Sequence, residues 1–348
     1  MNLKLHLGVF LTGCSLLMAS CQQTSDLDEV IEIDSFENSI VRSETEPTAS
    51  VNSLGDYKPL VYHHAPVHIQ DVDQTGRYSL GGVSDYVTAI DFDGDWVSTN
   101  NWDNLKSKND CKAVSYYSVV ESETHYFILY TFFHPRDWTD IFFLYSLDQH
   151  ENDLEGALHI IRKDGSQFGS LEGVVTVFHS DFYSYKPQGS SLSGGHENID
   201  GTCDRENYDG SLRVLTTQEA KGHGMKTFPD FKPGGSDYVK YYPSLTISEY
   251  PSDDYDRHVK YKLVDIFETN GIWDRRFDTR FLINAKYFPN SFTNNGSANT
   301  PWNWDDGNDG ASYTGEIANN PAKLTAHYFS NLGEFSRNYT YNPYTGVK

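Results

Sequence analysis

From Tyr57 onward, short β-branched and ring-rich runs alternate with clusters of Gly, Asp, Asn and Ser, a spacing that predicts many short strands and few helices. Ala113–Val120, Tyr126–Phe133, Ile141–Leu147, Ala157–Arg162, Gly173–His179 and Leu212–Thr217 are predicted strands. Glu121–Thr124 and Lys163–Gly165 are turns between them, and Lys260–Glu268 reads as a strand or short helix. Phe281–Ala285 is one more short apolar run. At the start, Tyr57–Asp73 reads as an edge strand interrupted by Pro66, with His63, His64 and His68 as a polar rim. The clearest helix is Pro321–Glu334, where Leu324, Tyr328 and Leu332 recur at i, i+4 and i+8. Together these describe a mainly β fold, an antiparallel β-sandwich with long loops and a few short helices.

Two apolar runs, Tyr126–Phe133 and Ile141–Leu147, each end in a knot of polar groups. His134, Pro135, Arg136 and Asp137 follow the first; Asp148, His150, Asp153 and Glu155 follow the second. Buried charge without a partner is costly, so carboxylates beside buried strands call for a cation or a proton. In an extended segment Asp153 and Glu155 share a face, and a turn at Glu151–Asn152 brings His150 to them. One imidazole among carboxylates suits a divalent cation, and the oxygen majority favours Ca²⁺, Mg²⁺ or Mn²⁺ over Zn²⁺. The alternatives are a hydrogen-bonded polar cluster and a purely architectural cation.

The stretch Gln149–Glu155, Q-H-E-N-D-L-E, resembles the heptapeptide G-H-R-H-D-W-E of the necrosis- and ethylene-inducing-like proteins (NLPs), a family of secreted β-sandwich proteins. Phe133–Asp137, F-H-P-R-D, is similar to that family's upstream Y-F-P-K-D, and Gly222–His223 resembles its G-T-H segment. The resemblance implies a metal site at Asp137, His150, Asp153 and Glu155, with His223 close to the metal. It also implies an acidic pocket used on plant sphingolipid sugar headgroups, leading to membrane damage. It covers residues 110–226, and Gln149, Glu151, Asn152 and Leu154 depart from the family letters.

The first twenty residues change the compartment. Lys4, the apolar stretch Leu7–Met18 and the small residues Ala19 and Ser20 form a secretory signal too short to span a membrane. The segment resembles a bacterial lipoprotein signal, with Cys21 as the lipidated residue; Cys14 is a rival, but it truncates the apolar region. The expected organisation is a signal at 1–20, a Ser/Thr/acid-rich disordered tether at 21–56 and a β-sandwich domain at 57–348. Within that domain the NLP-like core occupies about 110–226 and a C-terminal elaboration 227–348. The expected location is the bacterial cell envelope, lipid-anchored, at the outer membrane or cell surface. Export permits a disulfide between Cys111 and Cys203, although two free thiols remain open.

Of 348 residues, 27 are Lys or Arg and 49 are Asp or Glu, a net charge of −22 that excludes nucleic acid and disfavours anionic lipid surfaces. Cations and neutral partners such as glycans fit better. Asp91, Asp93 and Asp95 around Gly94 resemble half of a Ca²⁺ loop, but an Asp-Gly turn joining two strands describes them better. Trp302 and Trp304, beside Asp305, Asp306 and Asp309, read as a ligand-stacking platform, a second cation loop or a packed loop. His223, His134 and His179 are candidate proton shuttles or supports for a metal.

Three functions follow: a cell-envelope protein binding a glycan or lipid headgroup, a metal-dependent hydrolase of an ester, phosphoester or glycan, and a structural surface lipoprotein. The sequence has no nucleophile elbow, phosphate loop, H-E-x-x-H or Cys-rich zinc pattern.

Overall fold

The computed structural model describes residues 56–141, 149–235, 237–252, 255–276, 300–307 and 314–348. Helix α1 (Lys58–His64) leads into β1 (Val67–Asp71), and the short α2 (Asn101–Asn104) precedes β2 (Val114–Ser122). Four long strands follow: β3 (His125–Asp137), β4 (His150–Arg162), β5 (Ser170–Phe178) and β6 (Asp181–Pro187). The middle of the chain adds β7 (Ser193–Gly194), β8 (Gly201–Cys203), β9 (Arg205–Tyr208), β10 (Ser211–Gln218) and β11 (Met225–Thr227). β12 (Tyr238–Ser244), β13 (Val259–Asp265), α3 (Glu316–Asn319), α4 (Pro321–Tyr328), β14 (Phe329–Ser330) and β15 (Tyr339–Tyr341) complete the described elements. None of the described helices is long and apolar enough to cross a membrane.

Thirteen strands form one sheet in the order β11-β10-β1-β12-β13-β2-β3-β4-β5-β6-β8, with β15 on β2 and β9 on β10. The expected antiparallel sandwich is corrected to a mixed, barrel-like sheet: β1 runs parallel to β10, β12 to β13, β13 to β2, and β6 to β8. The reason is connectivity, because these neighbours are joined by long crossings rather than hairpin turns. The sheet curls until β11, at one end of the order, packs on β4 and β5 near the other. There the Met225 amide donates to Glu155 Oε2 at 3.1 Å.

Burial explains the unbroken apolar run in β3. Phe127, Leu129 and Phe133 enter a core shared with Trp304, Ile317 and Leu324 from the C-terminal helices and loop. The intervening Ile128, Tyr130 and Phe132 enter a second core with α1 residues Leu60 and Val61 and residues of β10 to β13. A strand covered on both faces has no polar alternation to show.

Several expected elements differ. Lys58–His64 is helical, with Pro59 in its first turn where a missing N–H costs nothing. β1 is a central strand rather than an edge: His68 is fully buried between β10 and β12, its ring stacked on Phe132 at 4.0 Å. The Asp91–Asp95 turn exists, with Gly94 at φ 95°, but it leads into α2 instead of joining two strands. Its carboxylates are committed locally, Asp95 Oδ1 to the Val97 amide (2.6 Å) and Asp93 Oδ2 to Asn104 (2.6 Å). Cys111 and Cys203 are both buried free thiols, the second of the two alternatives the sequence left open. α4 stops at Tyr328 because Phe329–Ser330 pairs with Ser193–Gly194. The expected strand beyond Ile141, Asp148, the run Phe281–Ala285, Asp309, and the signal and tether with Cys21 lie outside the described residues.

Candidate functional site

The turn expected at Glu151–Asn152 is absent, since β4 begins at His150 and pairs with β3 as His150↔Asp137, Glu151↔Arg136 and Asp153↔His134. Asn152 is left-handed (φ 65°) opposite Pro135, a residue with no N–H for the ladder. That local break separates two sets of side chains. Glu151 Oε1 accepts the Trp102 amide (2.9 Å), while Asn152 donates to the Ser98 carbonyl (2.7 Å) and accepts from Asn101 (2.6 Å). Arg136 donates to the Trp102 and Leu105 carbonyls and lies over the Trp102 ring at 4.8 Å. Two positions where this chain departs from the NLP letters, 151 and 152, therefore grip α2 and the loop before it.

The other set faces the β10–β11 connection. Asp137 Oδ2 meets His150 Nε2 at 3.2 Å, and their side chains are 15% and 20% exposed. Asp153 Oδ2 meets His223 Nδ1 at 3.0 Å. Glu155 accepts the His179 amide (2.7 Å) on Oε1 and the Met225 amide on Oε2. His179 Nε2 in turn meets Glu219 Oε1 at 2.9 Å. Lys221 and His223 are both left-handed. Between and beyond them, Gly222 and Gly224 are steric requirements: a Cβ would lie 2.7 Å from the His179 ring and 2.6 Å from the Phe178 ring.

At the base, His223 is fully buried and has a carboxylate at each ring nitrogen, Asp153 at Nδ1 and Asp85 Oδ1 at Nε2 (3.3 Å). Two acceptors require two N–H donors, so the ring is an imidazolium. Burial opposes the charge, but the hydrogen bonds and charges of Asp153 and Asp85 outweigh it and lift His223 to about 10. His134 stacks on His223 at 3.9 Å with ring planes 8° apart. Gln218 donates its amide to the His223 carbonyl (2.6 Å), so its oxygen accepts from His134 Nε2 (3.1 Å). Burial and the charge of His223 hold His134 neutral, well below the usual histidine range.

Asp85 was not legible as a site residue, because it lies after a Gly-rich turn with no motif around it. It accepts from Trp138 Nε1 (2.8 Å) and from the Lys221 (2.9 Å) and Asp73 (2.8 Å) amides as well as from His223. Lys221 Nζ then bridges Asp73 and Asp140 at 2.8 Å each, above the Trp138 ring.

The electrostatics are those of crowded acids held by imidazoles. Burial and Asp153 push Glu155 well up, and burial pushes Asp137 up against the pull of His150. Burial opposes the charge on His150, yet Asp137 raises it to about 9; Glu219 does the same for His179, also to about 9, against its burial. With the oxygens engaged in this way, no group of three or more His, Cys, Asp or Glu among the described residues is spaced to hold a metal ion. The donor chemistry itself, three carboxylates and an imidazole, suits a hard cation, provided that the imidazole pairs yield their oxygens.

Trp304 is no stacking surface: it is 3% exposed, and its ring packs under Gly156. Trp302 is half-buried edge-on to Trp273 at 5.0 Å, and Asp306 accepts the Phe182 amide and the Tyr328 hydroxyl. This loop fastens the helices to β6 and packs beneath Gly156, its Asp306 spent on those two donors rather than on a ligand.

No protein-family profile matches the chain, and no curated protein matches it. Among solved structures the chain is similar to the non-toxic HaNLP3 protein, at 14% identity and a TM-score of 0.34 over 71% of this chain and 89% of that one. It is also similar to Necrosis and Ethylene inducing Protein 2 from the causal agent of cocoa's Witches Broom disease (15%, 0.28, over 54% and 74%). A third is NLPPya in complex with glucosamine (11%, 0.36, over 74% and 90%). These belong to the same family that the heptapeptide resembles.

Proposed function

We propose that the protein binds a glycan or lipid headgroup through a divalent cation, Ca²⁺, Mg²⁺ or Mn²⁺, held by Asp137, His150, Asp153 and Glu155. The observation that carries this reading is that three carboxylates line one end of the β3–β4 pair, each against an imidazole. Its outer pair, Asp137 and His150, is partly open to solvent. A hard cation there would take carboxylate oxygens from the protein and leave positions for ligand hydroxyls. An architectural cation would instead call for a closed site.

Hydrolysis is the weaker reading for a geometric reason. A general base must reach the proton it abstracts. Both His223 nitrogens are engaged and the ring is fully buried, and His134 is buried beneath it.

Elemental analysis of the purified protein tests the site. About one divalent ion is expected in the wild type and none in Asp153→Ala/Glu155→Ala, because charged oxygens that touch the ion dominate such sites. Equal metal content in both would end the cation assignment, and glycan binding that persists in chelator would end its role in recognition.

The same reading places the protein on the bacterial envelope through a lipid on Cys21. Cys21→Ser is expected to abolish incorporation of a labelled fatty acid and to release the protein from membranes, whereas Cys14→Ser leaves both intact. The reverse pattern would move the anchor to Cys14.

A further inference from the structure

At the opposite end of the same strands lies a groove of about 310 Å³, lined in part by Arg162, Ser170, Glu172, Gln188, Ser190 and Arg205. The topology builds it. Arg162 ends β4 across from Ser170, which begins β5. β6 and β8 pair in parallel as far as Pro187↔Cys203, so the turn after Pro187 lies beside Arg205, the first residue of β9. The acidic cluster occupies the start of β4 and the end of β5, so the two sites do not share residues.

The groove differs in charge from the rest of a chain of net charge −22. Arg162 donates to Glu172 Oε1 through Nε (3.0 Å) and Nη2 (2.6 Å) and to the Glu334 carbonyl through Nη1 (2.9 Å). Glu172 Oε2 meets His125 at 2.8 Å. This wall is internally neutralised and fixed. Arg205, in contrast, is exposed and has no ion-pair partner among the described residues. Ser190 Oγ accepts the Leu192 amide (3.2 Å), leaving its hydroxyl proton to donate. One free guanidinium, an amide and hydroxyls around a cavity at the small end of ligand-pocket sizes describe recognition of a single small polyol that carries an acid.

We propose that this groove binds a uronic-acid sugar unit, its carboxylate on Arg205 and its hydroxyls on the Gln188–Ser190 turn, while the Ser170 hydroxyl is spent on Asp164. The test is titration of the purified full chain, in chelator, with galacturonate, galactose or sulfate, followed by calorimetry or ligand-observed NMR. Galacturonate is expected to bind about tenfold more tightly than galactose, the worth of one charge-assisted hydrogen-bond pair. Arg205→Ala should bring galacturonate down to the galactose level, while equal galacturonate affinity with and without chelator separates this groove from the cation site. Equal binding of galactose and galacturonate, no response to Arg205→Ala, competition by sulfate as strong as by galacturonate, or no binding at all would each overturn the proposal.

Discussion

Replacing Arg213 with alanine is expected to destabilise the fold by about 3–4 kcal/mol, through orphaned carbonyls and an unfilled cavity. Arg213 is fully buried on β10, yet no carboxylate pairs with it among the described residues. Its Nη1 donates instead to the carbonyls of Tyr62, His63 (3.3 Å) and Ala65 (3.1 Å), where α1 ends and its last carbonyls need donors. Nε donates to the Tyr208 carbonyl at 3.1 Å, and the guanidinium lies over the Tyr62 ring at 4.6 Å. One side chain therefore caps a helix, ties it to β9 and β10, and fills the end of the enclosed core. Arg213→Lys should recover less than half of the loss, because a point charge cannot serve carbonyls in a fork. Urea denaturation followed by circular dichroism measures both variants. A loss below about 1 kcal/mol for Arg213→Ala would show that water replaces the guanidinium.

Asp85→Asn is expected to cost about 3–5 kcal/mol at neutral pH, the scale of loss when a buried ion pair is broken by removing one partner. His223 would keep Asp153, but Asn cannot supply the charge and both acceptor oxygens that Asp85 gives to His223, Trp138, Lys221 and Asp73. The effect should depend on pH. His223 stands at about 10 in the folded protein, against about 6.5 when unfolded. Its pairing therefore stabilises fully below about 6.5 and is lost as pH rises through about 10. Chelator-treated wild type should lose stability across that window, and Asp85→Asn should show a shallower slope over it. His150 and His179, also raised to about 9, contribute to the slope in both proteins, so the difference between the two curves isolates the Asp85–His223 pair. Parallel curves would mean that Asp85 acts only as an acceptor for neutral donors.

These two residues also mark where sequence reasoning stops. Local pattern was enough to locate β2, β3, β5, β10 and the second half of β4, and to single out Asp137, His150, Asp153 and Glu155 as a polar group, because their spacing is contained in a short stretch; that they sit on the paired ends of β3 and β4 was not legible. His223 between glycines was visible for the same reason. Asp85, Gln218 and Arg213 act through partners 138, 84 and 151 residues away, and no local signal encodes such pairs. Parallel neighbours escaped likewise, since turn residues announce hairpins and say nothing of crossovers. Lys58–His64 was a different failure. Its Pro59 is a helix-start signal, but the strand reading rested on Pro66 and on the apolar letters around it. Trp304 stayed open between a stacking platform, a cation loop and a packed loop because an aromatic among acids looks the same whether it faces a ligand or plugs a core, and its burial decides for packing.

β1 is seated between β10 and β12, so its two edges are satisfied only by residues 211–218 and 238–244. A chain that emerges from its amino terminus therefore presents this strand long before either neighbour exists. Contacts of such sequence separation slow folding and leave apolar strands uncovered meanwhile. Closure of the enclosed core is thus a late event, tied to delivery of the last two-fifths of the polypeptide rather than to the first strands made. Until β12 and β13 arrive, Val67–Asp71 and the aromatic β2–β3 pair stay open to holdase chaperones.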